Sequence, residues 1–157
     1  MNIFVLDYDI DKCAQFHCDK HVVKMILESA QLLSSAHRIH GQDVGYRLTH
    51  KNHPCALWVR ESRDNYDWLY ELTLALNDEY GYRYGKSHKS VDVVTALPEP
   101  AFLEYKGLTP FARAFGDYAS ECNKFADVVD AYRHYYKVAK ADIVTWKNRE
   151  MPYWFSA

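Results

Sequence analysis

Four polar side chains near the N-terminus have the types and spacing of a chemical site. His17, His21, Lys24 and Glu28 recur at intervals of four, three and four residues. At about 100° per residue, this spacing places them on one narrow face of an α-helix. The opposite face is apolar and consists of Val23, Ile26, Ala30 and Leu33. If the polar face is partly buried, the pKa of a glutamate between a lysine and two histidines can be shifted by its surroundings. The alternative is that this face is an ordinary solvent-exposed side of the helix.

A single carboxylate of this kind suits cleavage of an N-glycosidic bond. One positioned glutamate can stabilise an oxocarbenium-like sugar or assist a nucleophile that replaces the base. We therefore predict that Glu28 is the catalytic carboxylate and that Lys24 or His21 tunes it. Other polar side chains are candidates for substrate or phosphate contacts. The candidates for these contacts are His17, Lys24, His50, Asn52, His53, Arg60, Lys86 and His88.

Metal and cysteine chemistry are less well supported. His17 and His21 have the i, i+4 spacing of metal ligands, and two more histidines at 50 and 53 could complete a site. The sequence nevertheless has no HExxH motif and no CxxC pair. Cys18 would point away from His17 on a helix, because neighbouring residues diverge by about 100°. No Gly-rich phosphate loop follows a strand. We predict no metal and no cofactor.

Composition limits the class of protein. A chain of 157 residues that is 48% hydrophobic suits one compact domain, residues 1–157. A net charge of -2 and a pI near 6.4 argue against a protein that coats nucleic acid through bulk positive charge. The four cysteines form no CxxC pair, no signal peptide is recognisable, and no apolar run reaches the roughly 18 residues of a membrane span. We expect a cytoplasmic protein with reduced thiols and no membrane partner.

The first elements that must position these residues are an N-terminal arm and a long helix. Residues 1–6 form a short apolar run that predicts a strand or a buried arm. A helix is predicted to begin near Asp9 or Asp11, with a kink before Asp19. It continues to about Arg38, where basic residues and Gly41 are typical of a helix end.

The rest of the chain is also predicted to be helical. After a connector over 41–53, Pro54 suits the first turn of a helix that Asn52 or His53 caps. Ser62 or Asp64 caps the next helix, which is predicted to end in an exposed loop over 81–85. A short helix over 89–97, an irregular segment over 98–118 with a short helix near 111–115, and a long helix over 125–143 follow. The aromatic tail from Trp146 onwards is predicted to pack back on the domain. The fold class is therefore mostly α, with at most one N-terminal strand.

The opening of the chain resembles the phage pyrimidine-dimer DNA glycosylases of the endonuclease V type. Members of that family have a short N-terminal arm, then a long helix with an Asp-x-His triplet and a glutamate seven residues after the histidine. Asp19-Lys20-His21 and Glu28 reproduce this spacing. The resemblance is detailed over the N-terminal third. Beyond it, the similarity lies in outline, in an aromatic helical middle and an aromatic tail with Trp146, Tyr153 and Trp154.

The resemblance implies a small helical DNA repair enzyme whose N-terminal amine is the nucleophile. In the family, that amine attacks the sugar C1′, forms an imine and lets the strand break by elimination, while the glutamate assists. A free α-amine has a pKa of about 8, so a neutral fraction exists at pH 7. Family members expose a small residue after methionine removal, whereas Asn2 follows Met1 here. We expect Met1 to be retained, with its amine as the nucleophile. Leu27 and Gln31 stand near positions where the family carries arginines.

The predicted function is therefore cleavage of an N-glycosidic bond, of the DNA glycosylase and abasic lyase kind, on damaged or modified pyrimidine nucleic acid. Two alternatives remain at this point. One is a hydrolase or binding protein for free nucleotides, which suits the net negative charge because a monomeric substrate needs no basic track. The other is a noncatalytic phage-encoded interaction module. The expected partner is a nucleic acid or a nucleotide.

Overall fold

A computed structural model describes residues 1–156 and is mostly helical, as predicted. Within these residues there is no β-strand. The helices are α1 (Ile10–Phe16), α2 (Asp19–Ile39), α3 (Pro54–Val59), α4 (Arg63–Tyr84), α5 (Lys89–Thr95), α6 (Ala119–Cys122) and α7 (Val128–Ala139), with a 3₁₀ turn at Gly116–Tyr118 before α6. None of them combines the length and the apolar character that a membrane-spanning helix needs.

The N-terminal segment is an extended arm rather than a strand. Residues 2–6 of the arm are buried, and Phe4 stacks on the ring of His21 at 4.4 Å between centroids. Asp9 caps α1 by accepting a hydrogen bond from the Lys12 amide at 2.9 Å. The predicted kink before Asp19 is confirmed as a full break, because the backbone of His17 is extended, with ψ of 135°. His17 and Glu28 therefore do not lie on one continuous helix, and the prediction of a single four-residue polar face is wrong.

Helix α2 packs against α3, α4 and α5. Its end is as predicted, with His37 and Arg38 in the last turn and Gly41 at a φ of +84° beyond it. Only part of the predicted polar face of α2 is exposed to solvent. His21 is 3% exposed and Glu28 is 8% exposed.

Helices α3 and α4 begin at the predicted caps. His53 accepts a hydrogen bond from the Cys55 amide at 3.1 Å, with Pro54 in the first turn. Ser62 caps α4 by accepting from the Asn65 amide at 3.1 Å. These local signals work because a capping side chain satisfies amides that have no partner inside the helix.

The predicted loop over 81–85 is wrong, because α4 continues to Tyr84. Arg83 is 2% exposed and lies 2.7 Å from Glu79 and 3.0 Å from Asp19. This buried ion network fastens the last turn of α4 to the start of α2, which no local pattern reveals. Gly85 then ends the helix in the left-handed conformation, with φ of +66°.

The C-terminal part is less regular than predicted. No helix forms over 111–115, because Phe111 stacks on Trp58 at 4.8 Å and Phe115 packs on Tyr132 at 4.7 Å. Helix α7 is shorter than 125–143, since Asp127 caps it by accepting from the Val129 amide at 2.7 Å. The predicted packing of the tail is confirmed. The Trp146 indole donates to the Phe16 carbonyl at 2.9 Å, and the ring of Trp154 is buried.

Candidate active site

An amine and a carboxylate meet where the N-terminal arm crosses α2. The α-amine of Met1 lies 3.3 Å from Oε1 of Glu28. The other carboxylate oxygen, Oε2, lies 3.5 Å from Nζ of Lys24, one turn earlier on α2. The Glu28 side chain is 10% exposed and that of Lys24 is 66% exposed. Glu28 therefore sits at the edge of the core, between an N-terminal amine and a solvated cation.

The side chain of Met1 is accommodated in the core. That side chain is 3% exposed and packs against the core, whereas Met1 as a residue is only half-buried. The exposed part of Met1 is thus its main chain, which carries the amine. Methionine suits this position because its flexible thioether fills irregular gaps in a core.

His53 completes this face of the protein. Its Nδ1 accepts from the Cys55 amide, so the ring proton is on Nε2. Burial lowers the pKa of His53, and the nearby Met1 ammonium and His50 lower it further, while Glu28 opposes them. The ring is therefore neutral near pH 7. His50 is exposed, adopts a φ of +50° and holds its ring 6.5 Å from that of His53.

His21 lies in the core of the protein. Its Nδ1 is 2.7 Å from the hydroxyl of Tyr136 on α7, and its ring is stacked on Phe4. Burial lowers the pKa of His21 to about 3, and the charges of His17, Lys140 and Lys24 add to this effect. The His21 ring is bonded to Tyr136, whereas the charged groups that contact Glu28 are the Met1 amine and the Lys24 ammonium.

His17 and Asp19 also serve the packing of α2. His17 is fully buried, its Nδ1 lies 2.6 Å from the carbonyl oxygen of Cys13, and burial lowers its pKa to about 4. Asp19 accepts from Arg83 at 3.0 Å and from the Thr145 hydroxyl at 2.7 Å. The Asp-x-His triplet therefore joins the start of α2 to α4, α7 and the tail.

The remaining predicted contacts lie elsewhere or are free in solvent. Asn52 and Lys86 are exposed, Arg60 stands at the C-terminal end of α3, and His88 caps α5 by accepting from the Ser90 amide at 3.1 Å. In residues 1–156, no hydrogen bond or ion pair joins any of these four to Met1 or Glu28. The same part of the chain contains no group of three His, Cys, Asp or Glu side chains that could hold a metal ion.

One residue beside the amine was missed in the sequence. Asn2 is 8% exposed, and its side chain lies between α3, α7 and the segment that precedes the 3₁₀ turn. The available signal was that Asn2 is the one polar residue in the apolar run over 1–6.

Comparison with known proteins adds a family to this geometry. A family model described as pyrimidine dimer DNA glycosylase matches residues 1–92 of the 157-residue chain. The matched part contains the arm, α2 and α3, and with them Met1, Lys24, Glu28 and His53. No curated protein and no solved structure matches the chain.

Proposed function

The chain belongs to the pyrimidine dimer DNA glycosylase family, and on that premise we propose that it cleaves the N-glycosidic bond of a damaged or modified pyrimidine in DNA. One observation carries the proposal, namely the 3.3 Å approach of the Met1 amine to Glu28. A nucleophile beside a group that can take its proton is the arrangement that covalent catalysis needs.

The first step replaces the base by the amine. Glu28 accepts a proton from the Met1 ammonium, and the freed lone pair attacks C1′ of the deoxyribose. The bond between C1′ and the pyrimidine N1 breaks, its electron pair leaves with the base, and the base takes up the proton that the newly bonded nitrogen loses. Glu28 then returns its proton to O4′ as the C1′–O4′ bond breaks, and an imine links Met1 to the opened sugar.

The second step breaks the strand. The imine acidifies the C2′ hydrogen. A proton acceptor removes that hydrogen as a proton, and the C3′–O bond breaks with departure of the 3′ phosphate. Water then hydrolyses the imine and restores the amine. Lys24 is available for a phosphate of the substrate, because its side chain is largely exposed to solvent. The neutral ring of His53 offers its Nε2–H to an oxygen of the sugar or the base.

A second candidate keeps the same groups but acts on free pyrimidine nucleotides. The net charge of -2 favours it, as does Leu27, which is 37% exposed beside Glu28. An apolar side chain makes no contact with a DNA phosphate. A free nucleotide needs no such contacts along a nucleic-acid backbone.

Borohydride trapping tests the proposal. The protein is incubated with duplex oligonucleotides that carry a pyrimidine dimer or an abasic site, reduced with borohydride, and digested for peptide mass spectrometry. We expect a covalent adduct on the Met1 nitrogen, and affinity for the duplex that falls steeply with salt. An adduct on a lysine would refute the assigned nucleophile. Hydrolysis of nucleotides without any DNA adduct would favour the second candidate, and neither activity would favour a noncatalytic module.

A further inference from the structure

The side chain of Asn2 has a partner for each of its polar atoms. Its Nδ2 donates to the carbonyl oxygen of Ala114 at 2.9 Å, and its Oδ1 accepts from the Ile3 amide at 2.8 Å. The Tyr132 hydroxyl lies 3.2 Å from the same oxygen, and the Cys55 thiol approaches it at 3.8 Å. A buried amide with these partners is strongly restrained, because any displacement leaves buried polar groups unpaired.

The partners of Asn2 are themselves held by other parts of the fold. Tyr132 on α7 is fully buried and accepts from the Ala114 amide at 3.2 Å, and its hydroxyl is 2.6 Å from the Ala112 carbonyl oxygen. Cys55 is in the first turn of α3. Asn2 thus connects the arm to three separate elements, two of which lie beyond residue 92.

Chain termini are ordinarily among the least ordered parts of a domain unless a contact fixes them. Here the amine must stay within reach of one carboxylate oxygen. Adjacent Cα atoms are only about 3.8 Å apart across a peptide bond, so a restraint on Asn2 limits the position of the Met1 nitrogen directly. The buried Met1 side chain provides a second, apolar restraint.

We propose that Asn2 is a positioning residue for the nucleophile, whose side-chain amide holds the Met1 amine against Glu28. The proposal rests on the proposed function for the chemistry that the pair performs. A misplacement of about 1 Å at a reacting group costs on the order of 100-fold in rate.

Zero-length cross-linking measures the placement without any DNA. A carbodiimide activates the Glu28 carboxylate, an amine in contact attacks the activated carbonyl carbon, and the carbodiimide leaves as a urea that carries the lost oxygen. The product is an amide that is one water lighter than the two groups. Met1 and Lys24 compete for Glu28, since they lie at 3.3 and 3.5 Å. The ratio of the two cross-linked peptides therefore reports the position of the amine, with Lys24 as the internal reference.

The test variant is Asn2→Leu, which keeps a similar volume and removes all the polar contacts. Leucine is also large enough that methionine stays in place, and the intact mass checks this. We expect the Met1 to Lys24 ratio to fall roughly tenfold, because the hydrogen bonds that restrain residue 2 are lost. Asn2→Asp keeps an oxygen that accepts from the Ile3 amide but places its other oxygen against the Ala114 carbonyl, so it should also lower the ratio. This variant replaces Asn2→Leu in the test if Asn2→Leu does not fold.

The matched control is Asn65→Leu. Asn65 is fully buried and makes comparable bonds, donating to the Trp58 carbonyl at 2.8 Å and accepting from the Thr109 amide at 3.1 Å. It should lose stability while the cross-link ratio stays at the wild-type value. A ratio in Asn2→Leu equal to the wild-type ratio would overturn the positioning role and leave the Met1 side chain as the restraint.

Trapping on DNA separates this proposal from the function on which it rests. If wild-type protein forms the Met1 to Glu28 cross-link but no imine with any DNA, the function fails and the positioning stands. If Asn2→Leu traps DNA as fast as wild-type protein, the positioning fails and the function stands. We expect the trapping rate of Asn2→Leu to fall on the order of 100-fold, with Glu28→Gln adding little more in that background, since coupled residues are not additive.

Discussion

Replacement of Glu28 by glutamine should separate catalysis from stability and from binding. Glutamine preserves the size of the side chain and an oxygen that the Met1 amine can contact, but it cannot take the proton of that amine at neutral pH. General base catalysis contributes about 10²- to 10⁴-fold. We therefore expect single-turnover cleavage of a dimer-containing duplex by Glu28→Gln to fall by at least about 100-fold.

The expected loss of stability is small. The ion pair of Glu28 with Lys24 joins a side chain that is 66% exposed, and exposed pairs contribute about 0–1 kcal/mol. The amide oxygen of glutamine still accepts from the amine, so a total cost of about 1–2 kcal/mol follows. For a chain of this size, each kcal/mol lowers Tm by roughly 2–4 °C.

The assay follows product formation and borohydride adducts at saturating enzyme, with calorimetry for Tm and fluorescence anisotropy for affinity. Glu71→Gln is the matched control, because Glu71 is an exposed glutamate on α4. Removal of a negative charge should leave affinity for DNA unchanged or raise it. A Glu28→Gln protein that cleaves at the wild-type rate would refute the site. Affinity that falls as far as the rate would show that Glu28 binds the substrate and does not catalyse.

Three further predictions concern the fold around the site. Glu79→Gln removes the carboxylate that pairs with two arginines, so it should cost about 3–5 kcal/mol of unfolding free energy in a denaturant titration, and an unchanged midpoint would contradict the role of that network. Burial lowers the pKa of His17 to about 4 and that of His21 to about 3, so below about pH 6.5 the unfolded chain binds more protons than the folded one. The free energy of unfolding should therefore fall from about pH 6.5 towards pH 3. His21→Gln should flatten that pH profile, and an unchanged profile would contradict the role of His21. Tyr136→Phe removes the hydroxyl that contacts His21 and should cost about 1–3 kcal/mol, while adduct formation per folded molecule stays at the wild-type level.

Much of the secondary structure follows from local chemistry. Helix ends are marked by residues that act on the backbone within a few positions. Examples are Pro54 after the capping His53, Ser62 before α4, and Gly41 after α2. The break before Asp19 was visible for the same reason. The prediction of a loop over 81–85 was wrong because the helical state of this segment depends on Arg83, whose partners Glu79 and Asp19 come from two elements. Two glycines indicate a loop only when no distant contact holds the backbone in a helix.

The sequence by itself determined the fold class, the helix starts and Glu28 as the carboxylate to examine. Spacing alone could not decide which of its polar neighbours share a site, because burial depends on what packs against a helix. The tertiary structure placed His21 in the core, where Tyr136 of α7 binds it, and left Lys24 at the surface. It also decided the contact of Met1 with Glu28, since the arm is directed there by Asn2 and by partners more than 100 residues away. Contacts of such sequence separation are set by the whole packed chain, and no local pattern encodes them.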